Sequence, residues 1–188
     1  NAKGLRQPSV PSNYASSAGP TKRGNHSQHS CTLFNRWNNS FRINGKNAAM
    51  NGGGGSGTKD FAGVFHRNGY QVRRKQVEDG LSKTIFFGET LAQCSMHARN
   101  GWAMTNNGQG LFTTLIPLNW ENCDDEATQG CSHPWNWNAE LGFKSKHDGG
   151  AQFAYGDGSV HFIEEGVDPY LLNLLGHKAD GQPLSEAL

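Results

Sequence analysis

The sequence lacks several things whose absence excludes whole classes of function. It has no apolar run of the roughly twenty residues that a spanning helix needs; its longest candidate, residues 111–118, is broken by Thr113, Thr114 and Pro117. It has no extended basic run either. Arg73-Arg74-Lys75 comes nearest and reads as a solvated strand end, and a formal net charge of +1 gives no electrostatic reason for a nucleic-acid partner. No Cys-x-x-Cys pair is present, which argues against a structural zinc ribbon. No Gly-x-Ser-x-Gly elbow surrounds Ser159, and no nucleophile sits beside a base in the sequence, so the chain is expected not to be an enzyme. The first residues, from Asn1, carry no signal-peptide pattern, so location has to be inferred indirectly.

What is present is a loop-rich chain of moderate size. At 188 residues it is long enough to bury a sizeable core, yet only 35% is hydrophobic and the mean hydropathy is −0.68. Twenty-five glycines fit short strands joined by long connections. Residues 1–60 read as a loop-rich N-terminal part, with apolar residues gathered only at 31–37 and 41–43. The Gly-rich run from Gly52 to Gly57 contains G-x-G-x-x-G but follows no strand, and reads as a flexible loop. Residues 61–188 read as a β-rich core carrying an insertion at 90–142.

The most regular text is Lys146-His147-Asp148-Gly149-Gly150-Ala151-Gln152-Phe153-Ala154-Tyr155-Gly156-Asp157-Gly158-Ser159-Val160-His161-Phe162-Ile163. Asp-Gly between two alternating runs predicts a hairpin with a two-residue type I′ turn at Asp157-Gly158. That register sets Tyr155 opposite Val160 and Phe153 opposite Phe162, all on the core face. His147 and Asp157 then fall at opposite ends of a strand about 20 Å long, which argues against a catalytic pair. Asp157 is expected to form the turn, and His147 to make a structural bond near Glu164 and Glu165, with a metal-ligand role as the sharper alternative. A second hairpin is expected around Asn68-Gly69, with Phe65, Tyr70 and Val72 on one face. Residues 83–89 predict a central strand. Asp168 at the N-cap and Pro169 in the first turn start a short leucine-rich C-terminal helix, with Gly176 beyond its end.

Other groups suggest binding. Cys31, Cys94, Cys123 and Cys131 suit disulfides and hence export; Cys123–Cys131 and Cys31–Cys94 are the expected bridges, although four cysteines allow three connectivities. Asp124, Asp125 and Glu126 could offer hard oxygen ligands to Ca²⁺. Trp120, Trp135 and Trp137 could stack on sugar or pin the insertion to the sheet. His26, His29 and His133 are weaker metal candidates.

Three stretches together resemble the bacterial prepilin-like family named for an H-x9-DG motif. They are Ser12-Asn13-Tyr14 with Ala18-Gly19; Gly63-Val64-Phe65 with Asp79-Gly80 and Gly88-Glu89; and His147-Asp148-Gly149-Gly150 through Asp157-Gly158. The resemblance implies an α+β pilin-like head with a mostly antiparallel β-sheet, long loops and a short C-terminal helix. It further implies a noncatalytic, extracellular or cell-surface subunit of a filament or a secretion-associated assembly. Its partners would be protein subunits, copies of itself or related pilin-like chains. Membrane attachment would come only through an N-terminal apolar helix, which this sequence lacks. It also raises the expectation of calcium at the acidic loop. The rival expectation is a secreted carbohydrate- or calcium-dependent adhesion module.

Overall fold

The computed structural model describes residues 11–22, 31–51, 61–66, 71–99, 110–124 and 130–184. In chain order the elements are strands β1 (Tyr14–Ser17) and β2 (Thr21–Lys22), helix α1 (Leu33–Ser40), and strands β3 (Arg42–Ile43), β4 (Lys46–Asn47) and β5 (Met50–Asn51). Strand β6 (Ile85–Glu89), helix α2 (Met96–Arg99) and strand β7 (Leu111–Phe112) follow, then helix α3 (Trp137–Glu140), strands β8 (Gly150–Tyr155) and β9 (Val160–Glu164), and helix α4 (Pro169–Gly176). The fold is α+β, as expected. Five strands form the main sheet in the order β7-β1-β6-β8-β9, antiparallel except for the β1/β7 pair.

Strand β6 is central, as its β-branched and aromatic run predicts, with Ile85 and Gly88 buried. Ala15, Gly88, Phe153 and Ile163 share the inner face, because cross-strand partners project to the same side. Phe112, Ile116, Leu141, Phe143, Leu172 and Leu175 close the core over that face. The rings of Phe143 and Phe153 meet edge-on at 5.2 Å. Helix α4 starts where expected: the Asp168 side chain accepts from the Tyr170 N–H at 2.8 Å and Pro169 fills the first turn. Gly176 is its last residue rather than lying beyond the end, and His177 caps it.

Several expectations need correction. The β8–β9 hairpin has Phe153 opposite His161 and Ala154 opposite Val160, one residue off the expected register. The Gly158 N–H donates to the Tyr155 carbonyl and the Tyr155 N–H to the Ser159 carbonyl, so the loop is Gly156-Asp157-Gly158, with Gly158 at φ +90°. This is the three-residue hairpin with a left-handed glycine, not a two-residue I′ turn. A one-residue slip exchanges faces: Val160 and Phe162 stand on the outer face, 59% and 49% exposed.

Residues 64–66 and 71–73 form no strand, and the Asn68-Gly69 turn lies outside the described residues. Gly63 and Phe65 instead donate to the carbonyls of Ala18 and Ser17 at the end of β1. Residues 33–40 are a helix rather than loop. Strand β1 comes from the N-terminal part yet lies between β7 and β6, so a boundary at residue 60 does not separate the sheet from its lead-in.

The disulfides exist but join different partners: Cys31–Cys131 and Cys94–Cys123, not Cys31–Cys94 and Cys123–Cys131. Spacing favours the nearest pair, but connectivity is decided by which segments the core brings together. The Cys31–Cys131 bridge staples the N-terminal loop region to the 90–142 insertion across 100 residues of sequence.

Candidate functional site

The two ends of β8 carry the motif that stands out in the sequence, and they do separate work. At its start, His147 Nε2 lies 3.3 Å from Glu89 Oε1 at the end of β6. The second Glu89 oxygen accepts the Gln152 N–H at 2.8 Å. Glu89 therefore ties the segment preceding β8 to the sheet, and it takes the partnership expected of Glu164 and Glu165. Glu165 engages instead through its N–H to the Gly149 carbonyl and its side chain to Asn119. Gly150 is required here: a Cβ on it would lie 2.2 Å from the Ile163 carbonyl oxygen. Beside the His147–Glu89 pair is a cavity of about 320 Å³ lined by Asn13, Thr90, Lys144, Ser145 and Lys146 among others.

At the far end, the Asp157 carboxylate accepts from the Ser159 hydroxyl at 2.7 Å and from the Ser159 N–H at 2.9 Å. Those bonds hold its carboxyl below the usual range. Asp157 is a turn former, as expected, and β8 separates it from His147. The structure does not bring these two together.

A buried polar cluster in the 90–142 insertion was not visible in the sequence. Glu140, at the end of α3, is fully buried. Its Oε1 lies 2.8 Å from His97 Nδ1, and its Oε2 accepts from the Ser95 hydroxyl at 3.0 Å and the His97 N–H at 3.3 Å. Ser95 also receives the Ala98 N–H, starting helix α2. Buried Lys144 sits nearby, donating to the carbonyls of Gly142 and Ala139 at 3.4 and 3.5 Å. Burial pushes its ammonium down to about 7, against the opposing pull of Glu140 and Glu121. A buried carboxylate with three donors is a satisfied structural anion, and it locks α2 onto α3. Ser95 and His97 lie over forty positions from Glu140 in sequence, so no local spacing announces them.

Asp79 of the Asp79-Gly80 motif holds the C-terminal segment. Its two oxygens accept the N–H groups of Asp180 and Gly181 at 2.7 and 2.9 Å, while the Lys178 carbonyl accepts from Glu78. Among the described residues, Asp79, His177 and Asp180 form a cluster with metal-ligand side chains. Burial pushes the Asp180 carboxyl up to about 6, reinforced by Asp79, and pushes His177 down to about 4. His177 Nδ1 accepts the Ala179 N–H at 3.0 Å, so the neutral ring carries its proton on Nε2, where it has no lone pair for a cation. The cluster is a latch for the chain after α4.

Trp120 uses its indole N–H on the Cys131 carbonyl and meets Trp37 edge-on at 4.8 Å. Trp137 packs against His97 at 5.4 Å. Trp135 is the one of the three with an exposed ring, at 44%. Asp124 is exposed, whereas Asp125, Glu126, His26 and His29 lie outside the described residues. His133 Nδ1 accepts the Trp135 N–H.

Among the described residues, the outer sheet face leaves several large apolar side chains exposed. Ser16, Phe87, Ala154 and Val160 are successive cross-strand partners on it, with Tyr14 and Phe162 on the same side. Tyr14, Phe87, Val160 and Phe162 are 62%, 41%, 59% and 49% exposed; Phe87, Ala154, Val160 and Phe162 make an apolar strip over β6, β8 and β9, with Glu89 and Gln152 lying between Tyr14 and Phe162.

Residues 3–170 match the family described as protein of unknown function, DUF1559. The chain belongs to the DUF1559 family. That family is associated with prepilin-like and pseudopilin proteins, which agrees with the coarse resemblance read from the sequence. No curated protein and no solved structure matches this DUF1559 chain. Its two disulfides fit an extracellular setting. Among the described residues no helix is long and apolar enough to cross a membrane.

Proposed function

We propose that this DUF1559 chain is a noncatalytic extracytoplasmic subunit, pilin-like or pseudopilin-like, of a surface filament or secretion-associated assembly, and that its partners are other protein subunits. The observation that carries this reading is the set of exposed apolar side chains, Tyr14, Phe87, Val160 and Phe162, on one face of the main sheet. Exposed aromatic and aliphatic side chains gathered on one sheet face are characteristic of protein contacts. The noncatalytic part is supported by how the conspicuous polar groups are engaged: Asp157 on Ser159, Glu89 on His147 and Gln152, Glu140 on Ser95 and His97.

The test is association of the purified chain and its native assembly after Phe87→Ser and Tyr14→Ser. Loss of subunit contacts with an unchanged melting temperature supports the reading; unaltered contacts sink it. A second reading, a secreted carbohydrate-binding or calcium-dependent module, rests on the exposed ring of Trp135. It predicts glycan binding lost in Trp135→Ala, or a melting temperature that rises with Ca²⁺ and falls with chelator.

A further inference from the structure

Strand β9 closes one end of the sheet, and among the described residues nothing pairs with its outer edge. The direction of its backbone groups follows from the hairpin's ends. The Tyr155 N–H donates to the Ser159 carbonyl, and the Glu165 N–H to the Gly149 carbonyl. Antiparallel strands alternate bonded and non-bonded pairs, so Ser159, His161, Ile163 and Glu165 direct their backbone groups to β8. Val160, Phe162 and Glu164 direct theirs outward. The Glu164 carbonyl is taken by the Val167 N–H, and among the described residues the Glu164 N–H and both the N–H and C=O of Val160 and Phe162 are left open at the edge.

An open edge is ordinarily blunted by lysine, proline or a bulge. Residues 160–164, Val-His-Phe-Ile-Glu, contain none of these, and Val160 and Phe162 are exposed. The edge is also self-complementary. A two-fold axis through His161 sets Val160 opposite Phe162 of a second copy, twice, with the N–H and C=O of Val160 and Phe162 in each copy matched to those of the other. Both side-chain pairs are aromatic against β-branched, among the favourable cross-strand combinations. Glu164 falls opposite Gly158 of the other copy, so no carboxylates confront one another, and the pair on the axis is His161 with its own copy. We infer that two copies of this chain join through β9, antiparallel about His161, into one sheet of twice the width whose apolar strips become continuous. This inference rests on the protein-contact reading above and names one partner, a second copy, and the mode of contact, β-augmentation.

The experiment uses the whole chain. All four native cysteines are bridged, so an introduced thiol is unique. Directly opposed residues in a non-bonded pair have Cα atoms about 4.5 Å apart, within disulfide range. His161→Cys is therefore expected to give a disulfide-linked dimer on mild oxidation, and Phe162→Cys far less of one. Sedimentation of the unmodified chain should show a concentration-dependent dimer. Phe162→Pro removes an outward N–H without touching the β8 ladder. It should weaken the dimer by more than about tenfold, because the axis counts each lost bond twice; unchanged circular dichroism verifies folding.

A chain that stays monomeric at millimolar concentration, or dimers that cross-link equally at both positions, overturns the inference. A dimer that survives Phe162→Pro but is lost in Phe87→Ser also overturns it, and leaves the protein-contact reading standing on the sheet face. Contacts insensitive to both variants remove the two together.

Discussion

The β8–β9 hairpin and the Ser95–His97–Glu140–Lys144 cluster are both polar constructions, and they differ in what water does to them. The hairpin's Asp157 and His147 are exposed, so their bonds compete with solvent and each contributes little to stability. The Glu140 carboxylate is fully buried with its three donors, and Lys144 is only 2% exposed. Removing one partner there leaves a desolvated charge alone. The region whose letters are most regular is thus energetically the quieter, and the irregular insertion contains the more consequential polar contacts.

Substitutions can break or sharpen that contrast. Glu140→Ala is expected to have the largest effect, destabilising by about 3–5 kcal/mol because His97 and Lys144 lose their carboxylate; urea unfolding measures it. A loss below about 1 kcal/mol would make the cluster no different from the hairpin. Replacing both Cys31 and Cys131 by serine should cost about 2–5 kcal/mol, since the bridge closes a long loop, and the cost disappears if both proteins are compared in reductant. Asp157→Ala gives up the Ser159 bonds at the turn, and denaturant titration should show a smaller loss than either of the two changes above, because the bonds are open to solvent. His147→Ala should stay within about 0.5 kcal/mol, as for exposed sites generally.

The latch at Asp79 adds a pH-dependent comparison. With Asp180 raised to about 6 from an unfolded value of about 3.9, the folded chain holds a proton that the unfolded one has released. Its stabilising contribution is full below the unfolded value and is lost as pH rises through 6. His177, lowered to about 4 from about 6.5, acts oppositely: its contribution is present above 6.5 and is lost as pH falls through 4. The two slopes oppose one another between about pH 4 and 6. Asp180→Asn removes the first, so the melting temperature of the variant should fall more steeply on acidification than that of the parent. Parallel pH profiles would show that Asp180 does not carry the raised value.

Much of the frame was legible. Central β6, the hairpin's existence and the Asp168 cap follow from local patterning and capping chemistry, which act within a few residues, and the α+β class from the family resemblance. The hairpin register was misread by one position because Asp157-Gly158 is compatible with two loop lengths; only Gly156 joining the loop distinguishes them, and that single residue moves Val160 and Phe162 from core to surface. The outer apolar strip was therefore hidden in the sequence. The Glu140 cluster was hidden for another reason: its members come from segments more than forty residues apart, brought together by the packing of α2 against α3.

By itself the sequence determined the central strand, the hairpin and the capped C-terminal helix, and supplied cysteines in an even number, because turn, cap and strand preferences are short-range and the number of cysteines is a matter of composition. Tertiary structure alone decided which cysteines meet, which carboxylate is buried and which face of the hairpin is left to solvent. Each of these depends on segments distant in the chain competing for the same interior, and no local preference encodes the outcome of that competition.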